Sequence, residues 1–212
     1  MLGGMATVRE RMKEQRAALK AGDKTPPGPP VLVEASTADE VVVPKQQGKR
    51  GRGQRWTTQR VDLDAGEIDR ANEERIERML ALQPLIADSA IIYPIEKSPD
   101  SPSPHIMVGR AKRSDVMIAD DTVSSVHAQI EEDEGELLLS DAGSSNGVFV
   151  NKRPIQPGER CRLTTGDCVR FGRKVFYYMT GERLLLFLEL RIVKMYGSGE
   201  RQRTTQTQGP LK

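Results

Sequence analysis

Beyond residue 88 the pattern of the chain changes period. Apolar and polar positions alternate in short runs: "AIIYPI" at 90–95, "HIMVG" at 105–109, "DVMI" at 115–118, "HAQIEE" at 127–132, "ELLLS" at 136–140, "GVFVN" at 147–151, "CRL" at 161–163, "CVRFG" at 168–172, "VFYYM" at 175–179 and "LLLFLELRIV" at 184–193. Gly, Asp, Asn, Ser and Pro separate these runs, and no helical pattern intervenes. Side chains of a strand point alternately to its two faces. A period near two, with turn residues every ~10 positions, therefore predicts an all-β unit, an antiparallel β-sandwich of about ten to eleven strands. The expected span of this unit is 89–195.

The chain before it reads differently. Residues 6–20, "ATVRERMKEQRAALK", are good helix formers with a sparse apolar stripe, which predicts a short, frayed helix. From Gly22 to about Arg60 the chain holds "TPPGPP" and "KQQGKRGRGQR" with few residues able to pack. Burial there cannot offset the entropy of ordering, so 1–65 is expected to be a disordered basic segment apart from that helix. Over 66–84, Ile68, Ala71, Ile76, Met79, Leu80 and Leu82 recur at helical spacing until Pro84, which predicts an amphipathic helix. Residues 196–212 read as a disordered tail, and no repeat of 20–50 residues is visible.

Charge sharpens this division. The net charge of +2 conceals 12 Lys and Arg against 6 Asp and Glu in residues 1–60, and 3 against 8 in residues 61–90. The most apolar stretch, Leu184–Val193, is broken by Glu189 and Arg191 and falls short of the ~18 residues of a membrane span. The start of the chain lacks an apolar export signal, so a cytoplasmic location is expected. Cys161 and Cys168 flank a Thr165-Gly166-Asp167 turn, where thiols are expected in preference to a hairpin disulfide. No nucleophile with a base, no paired carboxylates and no Cys/His metal spacing appears, so neither catalysis, metal nor cofactor is expected. The basic "KQQGKRGRGQR" tract has no aromatic interleaving beyond Trp56, which argues against nucleic acid as the main ligand.

"DAGSSNGVFVN", 141–151, packs hydroxyls, Asn and Gly directly before a strand. Such residues make a tight turn, and on a rigid scaffold they also present donors to a ligand. With "VGR" at 108–110, "SDVMI" at 114–118, "VSSVHAQI" at 123–130 and "LTTGDCVRFG" at 163–172, in this order and spacing, the segment resembles a forkhead-associated (FHA) domain of bacterial type. The likeness covers about half the chain.

The resemblance implies a non-catalytic sandwich that binds phosphothreonine segments through loops at one end. By the same resemblance Arg110 and Ser124 contact phosphate, and Ser125, Ser145, Asn146 and Asn151 complete the peptide site. Asn151 alternatively only closes a turn. Gly109, His127, Asp141 and Gly147 support the loops, with His127 fixing Ser124. Where the family often carries a basic residue, Ser125 stands, and Lys112 and Arg113 lie in the adjacent loop. The chemistry agrees: a phosphothreonine carries nearly two charges and three acceptor oxygens, which suit an Arg fork and neutral donors.

The expected partner is a phosphothreonine-containing protein in Ser/Thr kinase signalling, possible kinases included, with no membrane. The alternative is a phosphate-independent scaffold using the sandwich and the 66–83 helix. Thr57 and Thr58, in "RWTTQRVD", are candidate phosphosites for self-occupation of the same site, or simply linker residues.

Overall fold

A computed structural model of the chain describes residues 5–35, 73 and 76–197. Nine of the ten alternating runs are strands: β3 (Ile91–Pro94), β4 (Ile106–Gly109), β5 (Val116–Met117), β6 (Ala128–Asp133), β7 (Glu136–Asp141), β8 (Val148–Val150), β10 (Cys161–Arg162), β11 (Cys168–Phe171) and β12 (Lys174–Met179). Three further strands, β1 (Ala6–Thr7), β2 (Val31–Glu34) and β9 (Arg153–Pro154), bring the described total to twelve. They form a seven-stranded sheet ordered β1-β3-β2-β12-β11-β8-β9 and a five-stranded sheet ordered β10-β7-β6-β4-β5. Every pairing is antiparallel except that of β4 with β5.

The middle of the larger sheet, around β2 and β12, is buried on both faces. In β12, Phe176 and Tyr178 point into the core between the sheets, while Tyr177 and Met179 point the opposite way under a helical layer. The same alternation puts Leu32 of β2 in the first core and Val31 and Val33 in the second. Burying a side chain of this size contributes ~1.5–3 kcal/mol, so both faces of β12 are stabilising, which explains its unbroken "VFYYM". The helical layer consists of α1 (Val8–Ala21), residues 76–82 (α2) with the 3-10 turn Gln83–Leu85, and α3 (Gly181–Tyr196).

Several expectations need correction. Residues 5–35 are not a disordered segment. Thr7 and Glu10 close a capping box at the start of α1, and Gly22, with φ 75°, ends it. Val8, Met12 and Gln15 bury one stripe of that helix. β2 lies inside the expected linker yet pairs β3 on one side and β12 on the other. Its four residues are too few to outweigh "TPPGPP" in a compositional reading, but both faces and both edges of the strand are satisfied. "LLLFLELRIV" is helical, because Leu184, Phe187, Leu188 and Ile192 fall on one buried face. A continuous apolar run fits a buried strand or a buried helix, and length decides between them.

The helix expected over 66–84 is seen in its final turns. Met79 and Leu82 are buried, and the pattern ends at Pro84. Residues 36–72, with Thr57, Thr58 and the basic tract, and the tail 198–212 lie outside the described residues. Among the described residues no helix is long and apolar enough to cross a membrane.

Candidate functional site

Four connections meet at one end of the sandwich: β4–β5, β5–β6, β7–β8 and the tip of the β11–β12 hairpin. Gly109, at the end of β4, makes the first approach possible. A β-carbon there would stand 2.3 Å from the Ser125 carbonyl oxygen and 3.1 Å from Ser114 Oγ. Arg110 follows, exposed, its backbone N–H donating to Ser124 O at 2.9 Å and its Nε to Val123 O at 3.2 Å. The terminal nitrogens of its guanidinium make no hydrogen bond to the described residues, which leaves a planar fork available.

Ser124 is set from below by His127, which is fully buried. The Ser124 N–H donates to His127 Nδ1 at 2.9 Å, so that nitrogen is unprotonated, and Nε2 carries the hydrogen and donates to Gly147 O at 3.2 Å. One neutral imidazole thereby ties the β5–β6 loop to the β7–β8 loop. Burial pushes its pKa below the usual value, with the Gly147 carbonyl and the Asp141 charge opposing. Phe171 packs edge-on against the ring, with centroids 5.7 Å apart.

The "DAGSSNG" turn is organised by Asp141. Its Oδ1 accepts from the N–H groups of Gly143 and Ser144, and its Oδ2 accepts from Ser144 Oγ and the Val148 N–H. Gly143 and Gly147 take φ of 82° and 74°, which glycine adopts without strain. So held, the loop delivers the Ser145 N–H to Ser124 Oγ at 3.1 Å and the Asn146 Nδ2 to Thr122 O at 2.8 Å. Arg110, Ser124, Ser145 and Asn146 thus share one exposed surface, and Ser125 is an exposed neighbour whose carbonyl accepts from Ala111.

Asn151 is not brought to this cluster. It follows β8, whereas the loop precedes that strand, and with φ 50° it turns the chain into β9. Its Nδ2 donates to Asp167 Oδ1 at 2.6 Å and its Oδ1 accepts from the Cys168 N–H at 3.0 Å. Both ends of the amide are engaged there, so of the two readings of Asn151 the turn is the one the geometry supports. Lys112 and Arg113 occupy the exposed turn after Arg110.

Sequence reasoning missed Thr122. Its carbonyl receives Asn146, its N–H donates to Asp120, and its hydroxyl accepts from the Arg173 N–H at 2.9 Å. The Thr122 hydroxyl and N–H hold the Asp120 carboxyl below the usual carboxylate range, and Lys174 and Arg173 add to this. The only advance signal for Thr122 was its place in the "DDTVSSVH" loop.

Residues 106–172 match the FHA domain family. The glycogen accumulation regulator GarA of Mycolicibacterium smegmatis is 35% identical over 80 residues, 38% of this chain and 49% of that protein. An oxoglutarate dehydrogenase inhibitor of Corynebacterium efficiens is 36% identical over 78 residues, 37% of this chain and 53% of that protein. The chain thus spans about half the length of these curated relatives. A solved structure described as a functional study of phosphothreonine-dependent FHA domain interactions aligns at 27% identity and a TM-score of 0.36, covering 42% of this chain and 83% of its own. The segment 106–172, whose loops hold Arg110, Ser124 and Asn146 at one end of the sandwich, is an FHA domain.

Proposed function

We propose that this chain is a binding module for phosphothreonine-containing segments of partner proteins, and that Arg110, Ser124, Ser145 and Asn146 form the site. The observation that carries the reading is the junction of Ser124 with Ser145 beside Arg110, braced by His127. Three loops place a cationic fork, two hydroxyls and an amide on one surface, and that donor set fits a dianion with three acceptor oxygens. Two or three charge-assisted hydrogen bonds at about 1.5–3 kcal/mol each suffice for much of a micromolar affinity, roughly 8 kcal/mol.

Phosphorylation by a Ser/Thr kinase would then control partner choice. The relatives carry the names of a regulator and of an enzyme inhibitor. The scaffold reading loses ground because one face of the described turns of the helix it needs is packed inside the fold, with Ile76 and Leu80 on the exposed side. Met79 and Leu82 of α2 are 1% exposed, and the side chain of Gln83 donates to Phe187 O at 2.9 Å.

Calorimetric titration with a phosphothreonine peptide and its unphosphorylated twin tests the proposal. Binding only of the phosphorylated form, lost in Arg110→Ala with the melting temperature unchanged, is the expected result. Equal binding of both forms refutes it.

A further inference from the structure

Helices α1 and α3 lie in one layer, yet their solvent faces differ. On α1 the exposed residues include Arg9, Lys13 and Glu14, the polar stripe expected of a surface helix. On α3 the buried residues Leu184, Phe187, Leu188 and Ile192 face the sheet, and the helical period turns Leu186, Leu190 and Val193 the other way. Leu186 and Leu190 are half-buried at the edge of the second core, and Val193 is 59% exposed. Leu80, one turn before Gln83 on the flank of α2 that meets α3, adds a side chain 47% exposed.

The charges of α3 are of two kinds. Glu189 accepts from Gln15 of α1 and Arg191 pairs with Asp88, so both are committed inside the layer. Glu182 and Lys194 are exposed, and neither makes an ion pair or side-chain hydrogen bond among the described residues. Glu182, Leu186, Leu190 and Lys194 follow one another at a spacing of four and so form a single ridge, about 18 Å long at ~1.5 Å per residue. An acid in the first turn and a base in the last suit the helix dipole in any case, but the dipole does not ask for two leucines between them at that spacing.

The ridge is its own complement. Turned end for end, it sets leucine against leucine in the middle and an acid against a base at both ends. A parallel arrangement would instead face Glu182 with Glu182 and Lys194 with Lys194. A two-fold axis level with Leu188 brings every member of the ridge opposite a suitable partner, which is the isologous geometry of a symmetric dimer. Rows of this spacing are also the surfaces through which helices of globular proteins most often pack.

We infer that the solvent face of α3 is the interface for a second copy of this chain, packed antiparallel, with Leu186 against Leu190 of the second copy and Glu182 against its Lys194. The surface contains none of Arg110, Ser124, Ser145 and Asn146, and the inference stands independently of the phosphothreonine reading. A contact of one helix pair with the α2 flank is modest beside the ~1,600 Å² of a standard interface, so association is expected at roughly micromolar concentration.

Sedimentation velocity of the full, unphosphorylated chain across a concentration series at low and high salt tests this. Wild type is expected to pass from monomer to dimer. Glu182→Lys and Lys194→Glu, both at exposed positions, each set like charges opposite one another and should weaken the dimer about three- to tenfold at low salt, with the melting temperature of the monomer unchanged. The double variant Glu182→Lys/Lys194→Glu restores the homodimer, and mixing the two single variants restores a heterodimer, since each then meets its opposite charge. A wild-type monomer up to about 1 mM overturns the inference, whether the face is covered by residues 36–72, by residues 198–212 or by another protein. A dimer that neither charge reversal weakens, or that the double variant does not restore, overturns it as well.

Discussion

His127 and Ser124 are joined by a single hydrogen bond, 2.9 Å from backbone nitrogen to imidazole Nδ1, and the other ring nitrogen reaches Gly147 O on the neighbouring loop. The ring is buried beneath both loops, so it acts as a rivet and touches no ligand. Removing it leaves the Ser124 N–H without a partner, leaves the Gly147 carbonyl with only the long bond from the Gly172 N–H, and opens a cavity beside Phe171. His127→Ala is expected to lower stability by about 2–4 kcal/mol, from unsatisfied groups and lost packing together. Phosphopeptide binding should weaken in parallel. Urea unfolding and calorimetry check both, and an unchanged unfolding midpoint would contradict the bracing role.

The same imidazole makes a pH expectation. Its folded pKa lies below the ordinary imidazole value of 6.5, mainly through burial. Between those two values the unfolded chain takes up a proton that the folded chain refuses, so stability rises with pH. The contribution is complete above 6.5 and is lost as pH falls through the folded value. Protonation of Nδ1 would also place a hydrogen against the Ser124 N–H. Thermal melts from about pH 7.5 to about pH 5 should show a steeper acid loss in wild type than in His127→Gln. The difference between the curves isolates His127 from the titrating carboxylates, and parallel curves would refute the assignment.

Gly109 is set against the Ser125 carbonyl so closely that a methyl group cannot enter without moving the β5–β6 loop. Gly109→Ala is expected to cost about 1–3 kcal/mol by overpacking. It should also displace Arg110 relative to Ser124, so affinity should fall by more than stability alone explains. Amide shifts of Arg110, Ser124 and Ser125 would report the displacement.

Legibility in the sequence followed burial geometry. The strands from β3 to β12 were readable because nearly all have the second core, or solvent, on one face and the sandwich core on the other. Each run was bounded by residues that favour turns, such as Asn146-Gly147 and Thr165-Gly166. β9 escaped because Arg153–Pro154 is exposed and carries no apolar signal. β2 escaped because four residues beside "TPPGPP" look like linker, and only tertiary pairing with β3 and β12 fixes them. The end of the sandwich was misread because Leu184–Val193 is apolar on nearly every side, which removes the period that separates helix from strand.

At the proposed site, Arg110, Ser124, His127 and Asn146 were visible through ordered motifs. Thr122 was not, since a Thr in an acidic loop carries no signal until the fold brings it to Asn146. Asn151 carried an ambiguous signal. Its motif position matched the loop, but the strand between them sends the two to opposite ends.

Asn151 therefore separates a structural from a ligand-binding role within one residue type. Its side chain substitutes for a missing ladder partner: it accepts from the Cys168 N–H and donates to Asp167, while its backbone N–H donates to Cys168 O at 2.8 Å. The positive φ, 50°, is one that Asn tolerates better than most residues. In Asn151→Ala the Cys168 N–H loses its acceptor and a β-branchless residue must still hold the strained angle, so stability should fall by about 1–3 kcal/mol. Asn151→Gly relieves the angle but not the lost bonds and should fall less. Phosphopeptide affinity should stay within about twofold of wild type in both, because the site loop is anchored separately through Asp141, His127 and Thr122. Urea melts with calorimetry at one temperature read the two quantities side by side. A loss of affinity in Asn151→Gly, at retained stability, would return Asn151 to the ligand.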